Sequence, residues 1–176
     1  MKKQLLIVDG YNMIGSWPNL VALKKQDKLE DARELLLHEL SNYAKFEDIE
    51  VMVVFDAMYV PGITKSFEKY QLTVVFTSEG ETADSYIERM AGERNTIVTQ
   101  VTVATSDLAE QWVVFSQGAL RKSARELYKN VERSKNNVST FQEDLKFQNY
   151  RRNSPWNSEQ LLELERKMEE LQKKPK

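Results

Sequence analysis

Four short apolar runs each lead into a carboxylate, and stretches with helical periodicity separate most of them. Leu5, Leu6, Ile7 and Val8 end at Asp9, and the run 51–55 ends at Asp56. The run 72–76 is followed by Glu79, Glu81 and Asp84, and the run 101–105 leads through Ser106 to Asp107. The run 51–55 is continuous, the pattern of a strand covered on both faces, as in parallel sheets. Between the first two, Leu29, Ala32, Leu36, Leu40 and Tyr43 recur at steps of three and four, which is one face of a helix over 29–46. Thr82 is a good N-cap for a helix reaching about residue 94, with Ala83, Ile87, Met90 and Ala91 inward. Alternating strands and helices predict an α/β fold with a largely parallel sheet. The C-terminal ends of such strands share one edge, and ligands bind there.

Each acid alone has an ordinary reading. Asp9-Gly10 fits a turn, Asp56 fits a cap on a following turn, and Asp84 suits the first turn of a helix. Asp107 with Glu110 has capping-box spacing. Their joint arrival at one edge is different, because gathered carboxylates repel one another unless a cation sits among them. A hard ion such as Mg²⁺ prefers oxygen ligands and keeps waters, so the pattern reads as a metal site acting on phosphate.

Composition narrows the chemistry. The chain has no cysteine and one histidine, His38, within the predicted 29–46 helix. Thiolate catalysis, cysteine-held metals and a Ser-His-Asp triad are therefore excluded or remote, and carboxylates are left to act. The residues after the first strand, Asp9-Gly10-Tyr11-Asn12-Met13-Ile14, do not form a dinucleotide fingerprint, and a Walker loop is absent. Tyr11 occupies the place of the second acid of an aspartyl-phosphate hydrolase. A phospho-receiver with Asp56 as acceptor fits poorly with the long first connection and the Asp84 region. No stretch has the apolar length of a membrane span, and Met1-Lys2-Lys3-Gln4-Leu5 lacks a secretory pattern. A cytoplasmic protein is expected. Net charge is −2, yet Arg121, Lys122, Arg125, Lys129, Arg133 and Lys135 cluster against only two acids. That block reads either as a solvated helix face or as phosphate contacts with RNA.

The remaining segments are less explicit. Gly10, Gly15 and Pro18 suggest a loop before residue 29, and Val60-Pro61-Gly62 a turn. Tyr11, Trp17 and Tyr59 are then loop aromatics that either pack locally or stack on unpaired bases. Residues 108–116 read as helix at first and as a possible strand at Trp112-Val113-Val114-Phe115. A helix is expected over 123–133. An Asn-, Ser- and Gln-rich linker follows over 134–158, and a last helix carries Leu161, Leu164, Met168 and Leu171 as a docking stripe.

Val8-Asp9-Gly10-Tyr11-Asn12 resembles the opening signature of the NYN domains, a branch of the PIN-like nucleases. Val54-Phe55-Asp56-Ala57, Glu81-Thr82-Ala83-Asp84 and Ala104-Thr105-Ser106-Asp107 resemble the next three acidic motifs, in order. The block from Gly118 to Leu127 resembles that of the YacP-like subgroup, so the similarity spans about residues 4–135. It implies a PIN-like three-layer α/β fold with a central, mainly parallel sheet. A nuclease domain over 1–135 would precede a linker and C-terminal helix over 136–176. It further implies an Mg²⁺- or Mn²⁺-dependent endoribonuclease cutting mRNA, since the subgroup includes a bacterial ribosome-associated enzyme of this kind. Asp9, Asp84 and Asp107 would be metal ligands, Asp56 would support them, and Asn12 would orient water or a phosphate. Arg121, Lys122, Arg125 and Lys129 would contact RNA or the ribosome. RNA and the ribosome are the expected partners, with no membrane role and a monomeric chain. Ala109 departs from the family, since many PIN-like sites carry a second acid at that position; Glu110 is its nearest substitute. The alternative is a non-catalytic RNA- or ribosome-binding module with a vestigial metal site.

Overall fold

The computed structural model describes residues 2–56, 66–69, 72–78, 80–153, 163, 166 and 167. The chain divides into two compact units, Met1–Ser134 and Lys135–Lys176. The first unit is built on six strands. They are β1 (Lys3–Asp9), β2 (Glu50–Phe55), β3 (Ser66–Lys69), β4 (Leu72–Phe76), β5 (Thr99–Ala104) and β6 (Leu120–Lys122). Their order across the sheet is β3-β4-β2-β1-β5-β6. All neighbouring pairs are parallel except β3 with β4. The helices are α1 (Gly10–Ser16), α2 (Pro18–Lys25), α3 (Leu29–Glu47), α4 (Ala83–Arg94), α5 (Leu108–Ser116) and α6 (Ala124–Asn153). Among the described residues no helix is long and apolar enough to cross a membrane.

Alternate side chains of the strands feed two cores, because successive residues of a strand point to opposite faces. Leu6, Val8, Val51, Val53, Phe55 and Val74 pack with α1, α2, α3 and the start of α6. Leu5, Ile7, Met52, Val54, Val75, Val101 and Val103 pack with Ile87 and Ala91 of α4 and Val114 of α5. This is the predicted three-layer α/β arrangement. β1 is central: the chain moves outward on one side through β2 and β4, then returns to β5 on its other side. The order therefore reverses between β1 and β5, and a crevice opens beyond the C-terminal ends of such a pair.

Several elements differ from expectation. Residues 10–25 form two helices instead of a loop. Asp9 caps α1 through Asn12 N, and Pro18 stands in the first turn of α2, where a missing N–H costs no hydrogen bond. Gly10 is required there, because a Cβ would collide with the Phe55 ring. Residues 108–116 are wholly helical. The helix expected over 123–133 continues to Asn153 through part of the expected linker. Asn, Ser and Gln cost a helix only tenths of a kcal/mol each, so interspersed Glu, Lys and Arg can carry it. Ser123 and Glu126 open that helix with a reciprocal capping box, Ser123 N to Glu126 Oε2 at 2.7 Å and Glu126 N to Ser123 Oγ at 3.2 Å. In the second unit, Lys167 and Glu163 form an i,i+4 ion pair at 3.3 Å. The Val60-Pro61-Gly62 turn, Tyr59 and the Leu161, Leu164, Met168, Leu171 stripe lie outside the described residues.

Candidate functional site

The sheet edge brings the motif acids into one electrostatic neighbourhood. Asp9 ends β1 and is 8% exposed. Burial pushes its pKa up to about 6, with Asp84 and Asp56 adding to the rise. The Asp84 carboxyl is likewise raised, first by burial and then by Asp107 and Asp56. Each of these two acids thus senses two of the other three, as four strand ends aimed at one crevice require. Asp56 follows β2 and accepts from Ala83 N at 3.4 Å, which ties it to the start of the helix bearing Asp84.

The bland and the functional readings of these acids prove compatible. Asp9 Oδ1 accepts from Asn12 N at 3.0 Å, and Asp107 Oδ1 accepts from Ala109 N at 2.8 Å. Both residues are helix N-caps, for α1 and α5. Thr82 caps α4 as expected, accepting from Ser85 N at 3.2 Å. Asn12 Oδ1 accepts from Ser106 N at 2.8 Å, joining α1 to the turn that carries Asp107. The donor on Ser106 fixes the amide orientation, so the Asn12 Nδ2 hydrogens remain as donors. Thr105 is fully buried, and its Oγ1 accepts from Asp107 N at 3.1 Å.

Among the described residues, no group of three or more acidic or histidine side chains stands where it could hold a metal as the side chains lie. The Asp84 side chain is exposed and can turn, whereas Asp107 is held by its bond from Ala109 N. Glu81 is engaged elsewhere, accepting from Arg89 Nη2 at 2.9 Å. Ala109 is exposed in the first turn of α5, and the Glu110 and Glu79 side chains lie outside the described set. His38 is an exposed residue of α3.

The basic block is split by the edge strand. Arg121 is in register with Val103 and Lys122 with Ala104, which belong to opposite cores. Arg121 therefore faces the α5 side, where its Nη1 donates to Gln111 Oε1 at 2.7 Å. Lys122 is half-buried on the other side, and burial holds its ammonium below the usual lysine pKa. Arg125 and Lys129 are exposed and line a cleft of ≈ 420 Å³ with Ser16, Ser106 and Tyr128. Since Ser106 precedes Asp107, this cleft opens beside the acids. Two expected loop aromatics are structural. Trp17 is fully buried and its Nε1 donates to Ala124 O at 3.0 Å. Tyr11 lies edge-on to Phe55 at 5.1 Å and its hydroxyl accepts from Arg33 at 3.1 Å. Sequence reasoning missed Thr105 and Gln111 as organisers of the Asp107 turn, because a buried Thr or Gln has no periodic signature.

Comparison with known proteins places this geometry in context. The YacP-like NYN domain family matches residues 6–169, beyond the 4–135 of the sequence resemblance. YacP of Bacillus subtilis (strain 168) is 51% identical over 128 residues, covering 73% of this chain and 75% of that protein. The crystal structure of Rae1 (YacP) from Bacillus subtilis superposes with a TM-score of 0.72 at 40% identity, covering 96% of this chain and 92% of that one. Its W164L mutant superposes with the same TM-score of 0.72 at 43% identity, covering 83% and 84%.

Proposed function

The chain belongs to the YacP-like NYN domain family, whose members support a nuclease-type function, and we propose that it is a Mg²⁺- or Mn²⁺-dependent endoribonuclease cutting mRNA on the ribosome. The observation that carries the reading is that two of the edge acids are raised together, Asp9 to about 6 and Asp84 likewise, each first by burial and with two of the other motif acids adding to the rise. An all-oxygen donor set under charge stress fits a hard divalent cation. Asp9, Asp84 and Asp107 would hold it. Asp9 and Asp107 are fixed by their cap bonds, while the exposed Asp84 side chain can turn toward them. When bound, the ion supplies Lewis-acid stabilisation of the charge that develops on the phosphate.

The chain's own residues supply the rest. Asp56 holds the start of α4, and with it Asp84, against the sheet edge. Asn12 keeps the Ser106–Asp107 turn beside Asp9 and offers its Nδ2 hydrogens to a phosphate oxygen. Arg125 and Lys129, in the cleft next to Ser106, suit the neighbouring phosphates of a strand. The rest of the surface gives little long-range attraction, because the net charge is −2. Positioning of the substrate by the ribosome answers that weakness.

The test compares cleavage of translated and free mRNA by the wild type, by Asp9→Asn and by the wild type in EDTA. Cleavage of translated mRNA that disappears in both controls is expected. RNA or ribosome binding without cleavage under any divalent metal would replace this reading with the non-catalytic module. Co-sedimentation of Arg125→Glu/Lys129→Glu with ribosomes over a salt series tests the docking part.

A further inference from the structure

α5 turns two aromatic side chains away from the core. Trp112 is 73% exposed and Phe115 is 58% exposed, whereas Val114 between them in sequence is fully buried. Three residues apart on a helix, Trp112 and Phe115 are neighbours on one face. Among the described residues, Val114 supplies the apolar contact of α5 with the sheet.

They line a hollow with Gln111 and Arg121. This hollow has a built polar side. Gln111 is 5% exposed, its Nε2 donates to Thr105 O at 2.8 Å, and its Oε1 accepts from Arg121 at 2.7 Å. A buried amide thus clamps the guanidinium to the strand end that leads to Asp107. The clamp uses one of the five Arg donors. Asp107 caps the same helix, and Trp112 stands five residues further on, about 7–8 Å along the axis.

We infer that Trp112, Phe115 and Arg121 form a subsite for an unpaired nucleobase of the RNA strand, on the α5 side of the site and apart from the Arg125–Lys129 cleft. This deepens the nuclease reading and rests on it for the identity of the strand. Aromatic faces and a guanidinium plane are the chemistry that holds splayed single-stranded bases. The fixed positive charge on an otherwise acidic chain selects a polyanion as occupant over an apolar protein segment.

The probe is a single-stranded oligoadenylate of about six nucleotides, within the usual span of such sites. It is titrated into the full-length Asp9→Asn chain, so that cleavage does not interfere. Binding is read in every variant as the anisotropy of a fluorescein-labelled oligonucleotide, and the tryptophan fluorescence of the parent chain should be quenched. Adding Trp112→Ala should weaken binding roughly 5- to 150-fold, the effect of losing one base–aromatic stack. Trp112→Phe should restore most of it, and Arg121→Gln should lower the salt dependence. Trp112 is exposed, so equal urea midpoints are expected and confirm intact folding. Equal affinity with and without Trp112 overturns the subsite, and cleavage by the wild type would still stand. Dependence on Trp112 together with a wild type that cuts no RNA would sink the nuclease reading and leave the subsite. A Trp112→Ala chain that binds the oligonucleotide normally but loses a ribosomal protein contact overturns the base subsite in favour of a protein surface.

Discussion

Replacing Asp9 with Asn should abolish cleavage and make the metal-free protein more stable. Raising the Asp9 pKa from 3.8 to about 6 corresponds to about 3 kcal/mol of unfavourable ionisation, as an upper limit. The folded pKa lies above the unfolded one. The folded chain therefore keeps a proton that the unfolded chain releases between about pH 4 and pH 6. Stability from this group is fully present below that window and is lost as pH rises through it. Asn is as good an N-cap as Asp, so the bond from Asn12 N survives the substitution. In EDTA at pH 8 the variant should exceed the wild type by up to about 3 kcal/mol, a rise of roughly 6–12 °C in Tm at this size. At pH 4.5 the gap should mostly close. Excess Mg²⁺ should stabilise the wild type and leave the variant nearly unchanged, because only a chain that binds the ion gains from mass action. Urea melts at both pH values, with EDTA or Mg²⁺, read all of this. A variant no more stable than the wild type at pH 8 in EDTA would refute the claim that Asp9 is held ionised against its surroundings.

Other perturbations separate positioning from chemistry. Gly10→Ala should cost about 1–3 kcal/mol, since the new methyl meets the Phe55 ring, and should lower cleavage by displacing Asp9; urea midpoints and a cleavage assay report both. Asn12→Asp keeps the acceptor for Ser106 N but removes the Nδ2 donors and adds a charge, so cleavage should fall at least tenfold with little change in secondary structure by circular dichroism. Asp48→Gly should stabilise the protein by up to about 1 kcal/mol without changing activity, because Asp48 ends α3 at φ 55, where glycine is unstrained.

The sheet and its acid-bearing edge were legible because both rest on strong local signals. Each parallel strand of the centre is a short, mostly apolar run; Asp9, Asp56 and Asp107 stand at or just beyond the ends of three of them, and Asp84 opens the helix that follows the fourth. Elements without that signal were missed. β3, with the sequence Ser-Phe-Glu-Lys, pairs only at an edge, and β6 has three residues, two of them basic. α1 holds two glycines and is too short to show a period, so its helical state comes from the Asp9 cap and from packing on Phe55. The site residues were legible as types but not as geometry. Nothing in the spacing says that Arg121 and Lys122 lie on opposite faces, since that depends on the register of β6 against β5. Trp17 had the composition of a loop aromatic, and only its bond to Ala124 O, more than a hundred positions away, makes it core.

The capping roles of Asp9 and Asp107 explain how an acidic edge is compatible with a stable fold. A helix N-terminus carries partial positive charge and unsatisfied N–H groups. Seating Asp9 and Asp107 there gives each Oδ1 a backbone donor and offsets part of the repulsion among the four acids. The bond from Asn12 N opposes the burial that raises the Asp9 pKa, so without the cap the rise would be larger. The caps also fix the two carboxylates relative to the sheet, which loop acids would lack. Asp84 has no such bond among those seen here; it sits one position inside α4, exposed and free to move toward a cation. Two anchored acids and one adjustable one let the edge fold without an ion and still close around it. Replacing Asp107 with Ser, which retains a cap but not the charge, should therefore preserve the fold and abolish the Mg²⁺-dependent stabilisation. Retention of that stabilisation in Asp107→Ser would show that Asp107 serves α5 alone.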